Sequence, residues 1–360
     1  MYSSPQLAYS DAESLSIIRD SAAAFATSTG GVSRARAMRF RDKGFDRDIW
    51  AKICELGWPS LRVPESRGGL GLGMRELCAM LEQLGRHLVP EPIAQSIIIA
   101  PLLDDRSLLA LTSGTSIILP AWQEQADTLL EPPSTLLEDG RVRGHKQFVY
   151  QALDADAFLL TTNAGLAFAP RTENDMHITA SPTLDGGHSG TIKFSGSPGF
   201  LLPCRPEALE EAHDDFALAW SAYLLGVMET AFDMTLEYVK TRVQFDKPIG
   251  QFQVVQHRLA DLMIQISLTR ASLESAAASL DMGARGNYRQ AVVSRAKARA
   301  SDTALFVTKE AIQFHGAIGY TDECDVGLFL RKALTLANMQ GSAALHRRRY
   351  AAVYPEDQDE

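Results

Sequence analysis

The 360-residue chain is 46% hydrophobic and 22% charged, enough apolar content to bury a sizeable core over two or three domains. Its formal charge of -9 excludes a generic nucleic-acid-binding role, which needs a basic face. It holds no run of about 18 apolar residues that would span a membrane. The cysteines (Cys54, Cys78, Cys204 and Cys324) are scattered without a Cys-x-x-Cys pair, so neither a metal site nor a redox dithiol is expected. With no basic start leading into an apolar run, the pattern predicts a cytoplasmic protein.

Residues 1–112 read as a helical domain. Asp11 is placed to cap a helix through Leu15, Ile18 and Phe25. Ile49, Ile53 and Leu56 recur at helical spacing within 45–58, as do Leu77, Leu81 and Leu84 within 74–88. The glycine-rich stretch 63–73 between them is a connector. Residues 113–205 change character. Short β-prone runs ("SIILPAW", "KQFV", "AFLLTT", "LAFAP", "MHITA", "TIKFSG") alternate with turn residues and predict a small barrel or sandwich. Residues 206–360 return to long helical patterns over 216–242, 254–283, 288–316 and about 327–352, which fit a four-helix bundle. Gln340-Gly341 interrupts the last of them. The arginine run 347–349 reads as a solvated face or, less simply, an anion contact.

Two stretches carry candidate chemistry. In "TRVQFDKPIGQFQ" an arginine at a helix end stands beside a phenylalanine, a fork and a flat apolar face that suit an anionic, planar ligand. A helix hairpin with a solvated arginine accounts for the same residues. In "AIQFHGAIGY" Gln313 and His315 precede small residues that let a ligand approach the backbone. No strand precedes them, so this is not the dinucleotide fingerprint. Alone, His315 reads as structural.

Together, in order and spacing, these stretches resemble the acyl-CoA dehydrogenase family. The family's Arg-x-x-Phe-Gly…Phe-Gln…Leu-Ala-(Asp/Glu)-Met pattern stands here as Arg242-Val-Gln244-Phe245-Asp246, Phe252-Gln253 and Leu259-Ala260-Asp261-Leu262. Its Gln-x-x-Gly-Gly-x-Gly-Tyr…Arg-x-Ala pattern stands as Gln313, Gly316-Ala317, Gly319-Tyr320 and Arg331-Lys332-Ala333. "LGWPSLRVPESRGGLGLG" and "GHKQFVYQALDADAFLL" resemble further family segments, so the likeness covers nearly the whole chain.

The resemblance implies an α+β fold: an N-terminal helical domain, a small central β-domain and a C-terminal four-helix bundle. It implies FAD-dependent α,β-dehydrogenation of an acyl-CoA thioester, with an electron-transfer flavoprotein as electron acceptor. A glutamate would take the α-proton while the flavin accepts the hydride. It also implies that Arg242, Gln244, Phe245, Phe252, Gln313, Gly316 and Ala317 serve the pyrophosphate and adenosine end of FAD in a neighbouring subunit.

Departures accompany the likeness. Many members carry the catalytic glutamate where this chain has Gln340, and an amide has no useful proton affinity. Other members carry it on the helix leading to the arginine, at the place of Phe216. Asp215 would serve there only if the helix start were offset, since one residue rotates a helix position by roughly 100°. Otherwise Asp214 and Asp215 read as acids at the helix N-terminus. The threonines expected near the flavin are absent from Pro120-Ala121-Trp122-Gln123-Glu124 and from Phe148-Val149-Tyr150. What is kept is the part given to a neighbour. The expectation is therefore a subunit without its own base, paired with a paralogous chain as in some bacterial systems for steroid side chains and for dicarboxylic or cyclic acids. A self-sufficient enzyme using Asp215 and a flavin-free scaffold are the alternatives.

Overall fold

The computed structural model describes residues 11–353 except 40, 42, 43 and 130. The N-terminal region comprises α1 (Asp11–Ser28), α2 (Gly31–Met38), α3 (Arg47–Glu55), α4 (Met74–Arg86), α5 (Ile93–Ile99) and α6 (Asp105–Thr112). The side chain of Asp11, expected as a cap, lies outside the described residues. Asp46 caps α3 by accepting from the Asp48 amide at 2.9 Å. The first amides of α4 are met from a distance in sequence: Asp281 accepts from Met74 and Arg75 at 2.6 and 3.0 Å. A carboxylate there also suits the helix dipole.

Two four-stranded sheets form the central domain. β1 (Ile118–Ala121), β4 (Ala157–Thr162), β5 (Gly165–Pro170) and β8 (Phe200–Leu201) make one, in the order β1-β4-β5-β8. β2 (Leu136–Glu138), β3 (Arg141–Tyr150), β7 (His188–Pro198) and β6 (Met176–Pro182) make the other, in that order. Only the β1–β4 pairing is parallel among the described strands. β4 is buried along its whole length, while β7 alternates, with Gly190, Ile192 and Phe194 inward. The short strands β2 and β8 carry too little pattern to be read from sequence.

The C-terminal region is built on α7 (Pro206–Thr241), α8 (Gln253–Asp281) and α9 (Gly286–His315), with a hairpin of β9 (Val243–Gln244) and β10 (Lys247–Pro248) after α7. The expected fourth helix is two, α10 (Val326–Leu336) and α11 (Ala343–Val353). α7 is buried throughout from Ala212 to Met228, and from Phe216 to Met228 it is apolar on every side but for Ser221. α4 crosses it so closely that a Cβ on Gly85 would lie 2.1 Å from the Tyr223 carbonyl oxygen, and one on Gly226 2.0 Å from that of Glu82.

One expectation is corrected. α7 begins at Pro206, ten residues before the predicted 216, with proline in the first turn where its missing N–H costs nothing. Asp214 and Asp215 therefore lie inside the helix rather than at its N-terminus. Both are buried and bound to arginines: Asp214 to Arg349 at 3.0 Å and Arg289 at 3.5 Å, Asp215 to Arg62 and Arg289. In the arginine run, Arg347 and Arg348 form the expected exposed face, and Arg349 turns inward. Arg347 pairs with Asp302, Arg348 with Asp127 at 3.2 Å, and Arg349 with Asp214.

Candidate active site

The turn between α10 and α11 is fixed by buried donors. Lys297, in α9, donates to the carbonyls of Leu336 and Ala337 at 3.1 and 3.3 Å, and Ser301 to that of Ala337 at 2.9 Å. These satisfy carbonyls left over at the helix end. Burial lowers the Lys297 ammonium to about 7. Gln340 follows in the left-handed region at φ 56, where a side chain costs backbone energy, and Gly341 at φ 94. The Gln340 carbonyl accepts from His346 Nε2 at 2.7 Å, and its amide oxygen lies 3.0 Å from His213 Nδ1, which donates to it. The backbone N–H of Ser342 donates to Asp127 at 3.1 Å. Both halves of Gln340 are thus anchored.

His213 lies edge-on to Trp122, with ring centroids 4.8 Å apart. Burial pushes His213 down to about 4 and His346 down to about 3, so both are neutral near pH 7. Acidification should unfold the chain through them. Between about pH 6.5, where an unfolded histidine gains its proton, and about 4 the unfolded chain binds more protons, so stability falls as pH falls. The slope approaches roughly 1.4 kcal/mol per pH unit for each imidazole. A lower melting temperature at pH 5 than at pH 7 is the expected result; equal values would contradict it.

Gln340 faces a cavity of about 590 Å³ between α5, the sheets, α7 and the α10–α11 turn. Phe216 and Trp220 of α7, Phe148 and Tyr150 of β3, and Leu334 and Met339 supply its apolar wall. Phe216 thus stands in the cavity wall, whereas Asp215 does not line it and holds Arg62 and Arg289 instead. Among the described residues, the one carboxylate on the wall is Asp127. Desolvation opposes its ionisation, but the bonds from Ser342 and Arg348 prevail and hold it below the usual carboxylate range. Sequence reasoning missed Asp127 and His213, because their partners lie over a hundred positions away.

Beneath the cavity, Tyr150 donates to Asp185 at 2.7 Å, and Lys332 of α10 pairs with the same carboxylate. This cluster joins the central sheets to the bundle. Desolvation would raise Asp185, but Lys332, Thr183 and Tyr150 bring it to about 2. Glu124 and Lys146, which lie in or just before the segments that lack the expected threonines, form a 2.6 Å ion pair, and Lys146 also donates to Thr161 at 2.8 Å. Their role is structural.

The remaining candidate residues gather at the far end of the bundle. Tyr238, one turn before Arg242, stacks on His315 at 4.4 Å, which sets the end of α7 against the end of α9. Arg242 and Gln244 are exposed, and the Arg242 side chain has no hydrogen-bond partner among the described residues. Phe245 is 86% exposed at φ 54, with its ring 6.2 Å from that of Phe252. Gln313, Gly316 and Ala317 are also exposed. A free guanidinium, an uncovered aromatic face and small residues fit the pyrophosphate and adenine of FAD. From Phe216 to Arg242, α7 runs 26 residues, or about 39 Å. No group of His, Cys, Asp and Glu among the described residues could hold a metal, and no helix among them is long and apolar enough to cross a membrane.

Family models for the acyl-CoA dehydrogenase N-terminal and C-terminal domains match residues 12–105 and 210–354. The acyl-CoA dehydrogenase IpdE2 of Mycolicibacterium smegmatis is 28% identical, covering 94% of this chain and 98% of its own. Among solved structures, a variant of the Tcur3481-Tcur3483 steroid ACAD superposes with a TM-score of 0.86 at 26% identity, covering 95% of this chain and 98% of that one. A chain of the ChsE4-ChsE5 complex of Mycobacterium tuberculosis gives 0.82 at 25% identity, covering 96% and 98%. The helical, β and helical regions match this fold, and the chain belongs to the acyl-CoA dehydrogenase family of FAD-dependent flavoproteins.

Proposed function

We propose that the chain is one subunit of a heteromeric acyl-CoA dehydrogenase that forms the α,β double bond of a CoA thioester. It donates Arg242, Gln244, Phe245, Phe252, Gln313, Gly316 and Ala317 to the FAD site of a paralogous subunit, which carries the base. The observation that carries this reading is Gln340: an amide, anchored at both ends, stands at the cavity wall where the family's base is expected. The about 39 Å between the cavity and Arg242 supports a donated half-site, since one chain does not bring both ends together. FAD, when bound, supplies the hydride acceptor. This chain's part is to hold the anionic end with Arg242 and to present Phe245 as a stacking face. The complex nature of ChsE4-ChsE5 supports pairing with a paralogue, and the steroid ACAD supports a bulky acyl group. An electron-transfer flavoprotein then takes the electrons.

The self-sufficient alternative is disfavoured by Asp215, which two arginines already occupy. The scaffold alternative is disfavoured by the exposure of Arg242 and Phe245, which serve no internal packing.

Flavin content of the co-purified pair tests the proposal. Absorbance and native mass should give two flavins per four chains. Arg242→Ala removes a charge-assisted contact worth roughly 1.5–3 kcal/mol and should lower flavin occupancy while leaving the fold intact. Four flavins per tetramer, or unchanged occupancy in the variant, would overturn it.

A further inference from the structure

Gln95 lies in helix α5, "IAQSIII", whose one other polar residue, Ser96, is satisfied by the Pro92 carbonyl at 2.9 Å, and Gln95 is 4% exposed. It lines the large cavity beside Phe216 and Trp220. Neither its amide nitrogen nor its amide oxygen has a hydrogen-bond partner among the described residues. A buried amide left wholly unpaired is destabilising, and native proteins satisfy such groups with few exceptions. Leucine or methionine would fill the same position without that cost. The amide is also neutral, and among the described residues the one charged side chain lining the cavity, Asp127, is negative. A second carboxylate on a ligand would find no cation there.

Resting on the reading of the chain as the subunit without a base, we propose that its own cavity, separate from the partner's reacting cleft, binds without turnover acyl groups with an apolar skeleton bearing a neutral hydrogen-bonding function. Gln95 pairs with that function, a carbonyl or a hydroxyl. The amide can donate to the first and both donate to and accept from the second. Phe216, Trp220, Leu334 and Met339 cover the skeleton. Plain hydrocarbon acyl groups leave the amide unpaired, and dicarboxylic ones place an anion in a cavity whose lining holds the Asp127 carboxylate and no cation among the described residues.

The test compares 3-(4-oxocyclohexyl)propanoyl-CoA with 3-cyclohexylpropanoyl-CoA by titration calorimetry on the full chain, alone and with its partner. The keto thioester should bind about tenfold more tightly, as one recovered hydrogen bond predicts. Gln95→Leu should bring the ratio near one without lowering the melting temperature, and Gln95→Met provides the same test with a closer shape. Equal binding of the two thioesters, binding of neither, or a tenfold ratio that survives both variants would overturn the proposal. The readout is binding without turnover, so it is separate from the flavin count that tests the heteromeric reading.

Discussion

Purified without a partner, the chain should oxidise acyl-CoA thioesters on the order of 10²–10⁴-fold more slowly than the assembled pair, the range lost with a general base. The α-carbon proton needs an acceptor at the cavity wall. Gln340 offers only an amide, whose oxygen already accepts from His213. His213, pushed down to about 4 by burial, spends its one proton on that bond and is a weak base. Asp127 is held by Ser342 and Arg348, and Asp215 by Arg62 and Arg289. Reduction of an electron-accepting dye, followed for the lone chain and the co-purified pair, checks the difference. Full turnover by the lone chain, abolished by Asp215→Asn, would transfer the base to this subunit.

The largest loss of stability is expected from Asp185→Ala. Its carboxylate and the Lys332 ammonium are both buried, with side-chain exposures of 1% and 7%. Removing one partner strands the other charge, which typically costs about 3–5 kcal/mol. The paired change Asp185→Leu with Lys332→Met should cost far less, because no ion is then left behind. Urea unfolding of the three proteins gives the comparison, and equal midpoints for the single and paired variants would refute the argument. The pair also sets a pH dependence. The folded carboxyl is depressed to about 2, so its stabilisation is complete above about pH 4 and is lost as the pH falls toward 2.

The three regions were legible because each has its own apolar period, and the Gln340 turn was legible because motifs fix its distance from Arg331. The start of α7 was not. Its first ten residues are polar enough to read as a linker, and His213-Asp214-Asp215 looks like a capping run. Those residues tolerate a helix interior because Arg62, Arg289, Arg349 and Gln340 meet them from remote parts of the chain. No local pattern encodes such partners. The same holds for Asp185, whose glycine-flanked segment reads as an ordinary turn, and for Gln95, which a helical period assigns simply to a buried face.

The crossing of α4 and α7 has a mechanical consequence. Where Gly85 meets Tyr223 and Gly226 meets Glu82, backbone rests on backbone with no side chain between them. Packed helices slide past one another by rotating the side chains at their interface, and at these two positions there is no side chain to rotate. Asp281 further pins the start of α4 to the end of α8. The N-terminal helices are thus braced against the bundle through backbone contact and through the Asp281 carboxylate, with the Tyr150, Asp185 and Lys332 contact as a separate tie between sheets and bundle.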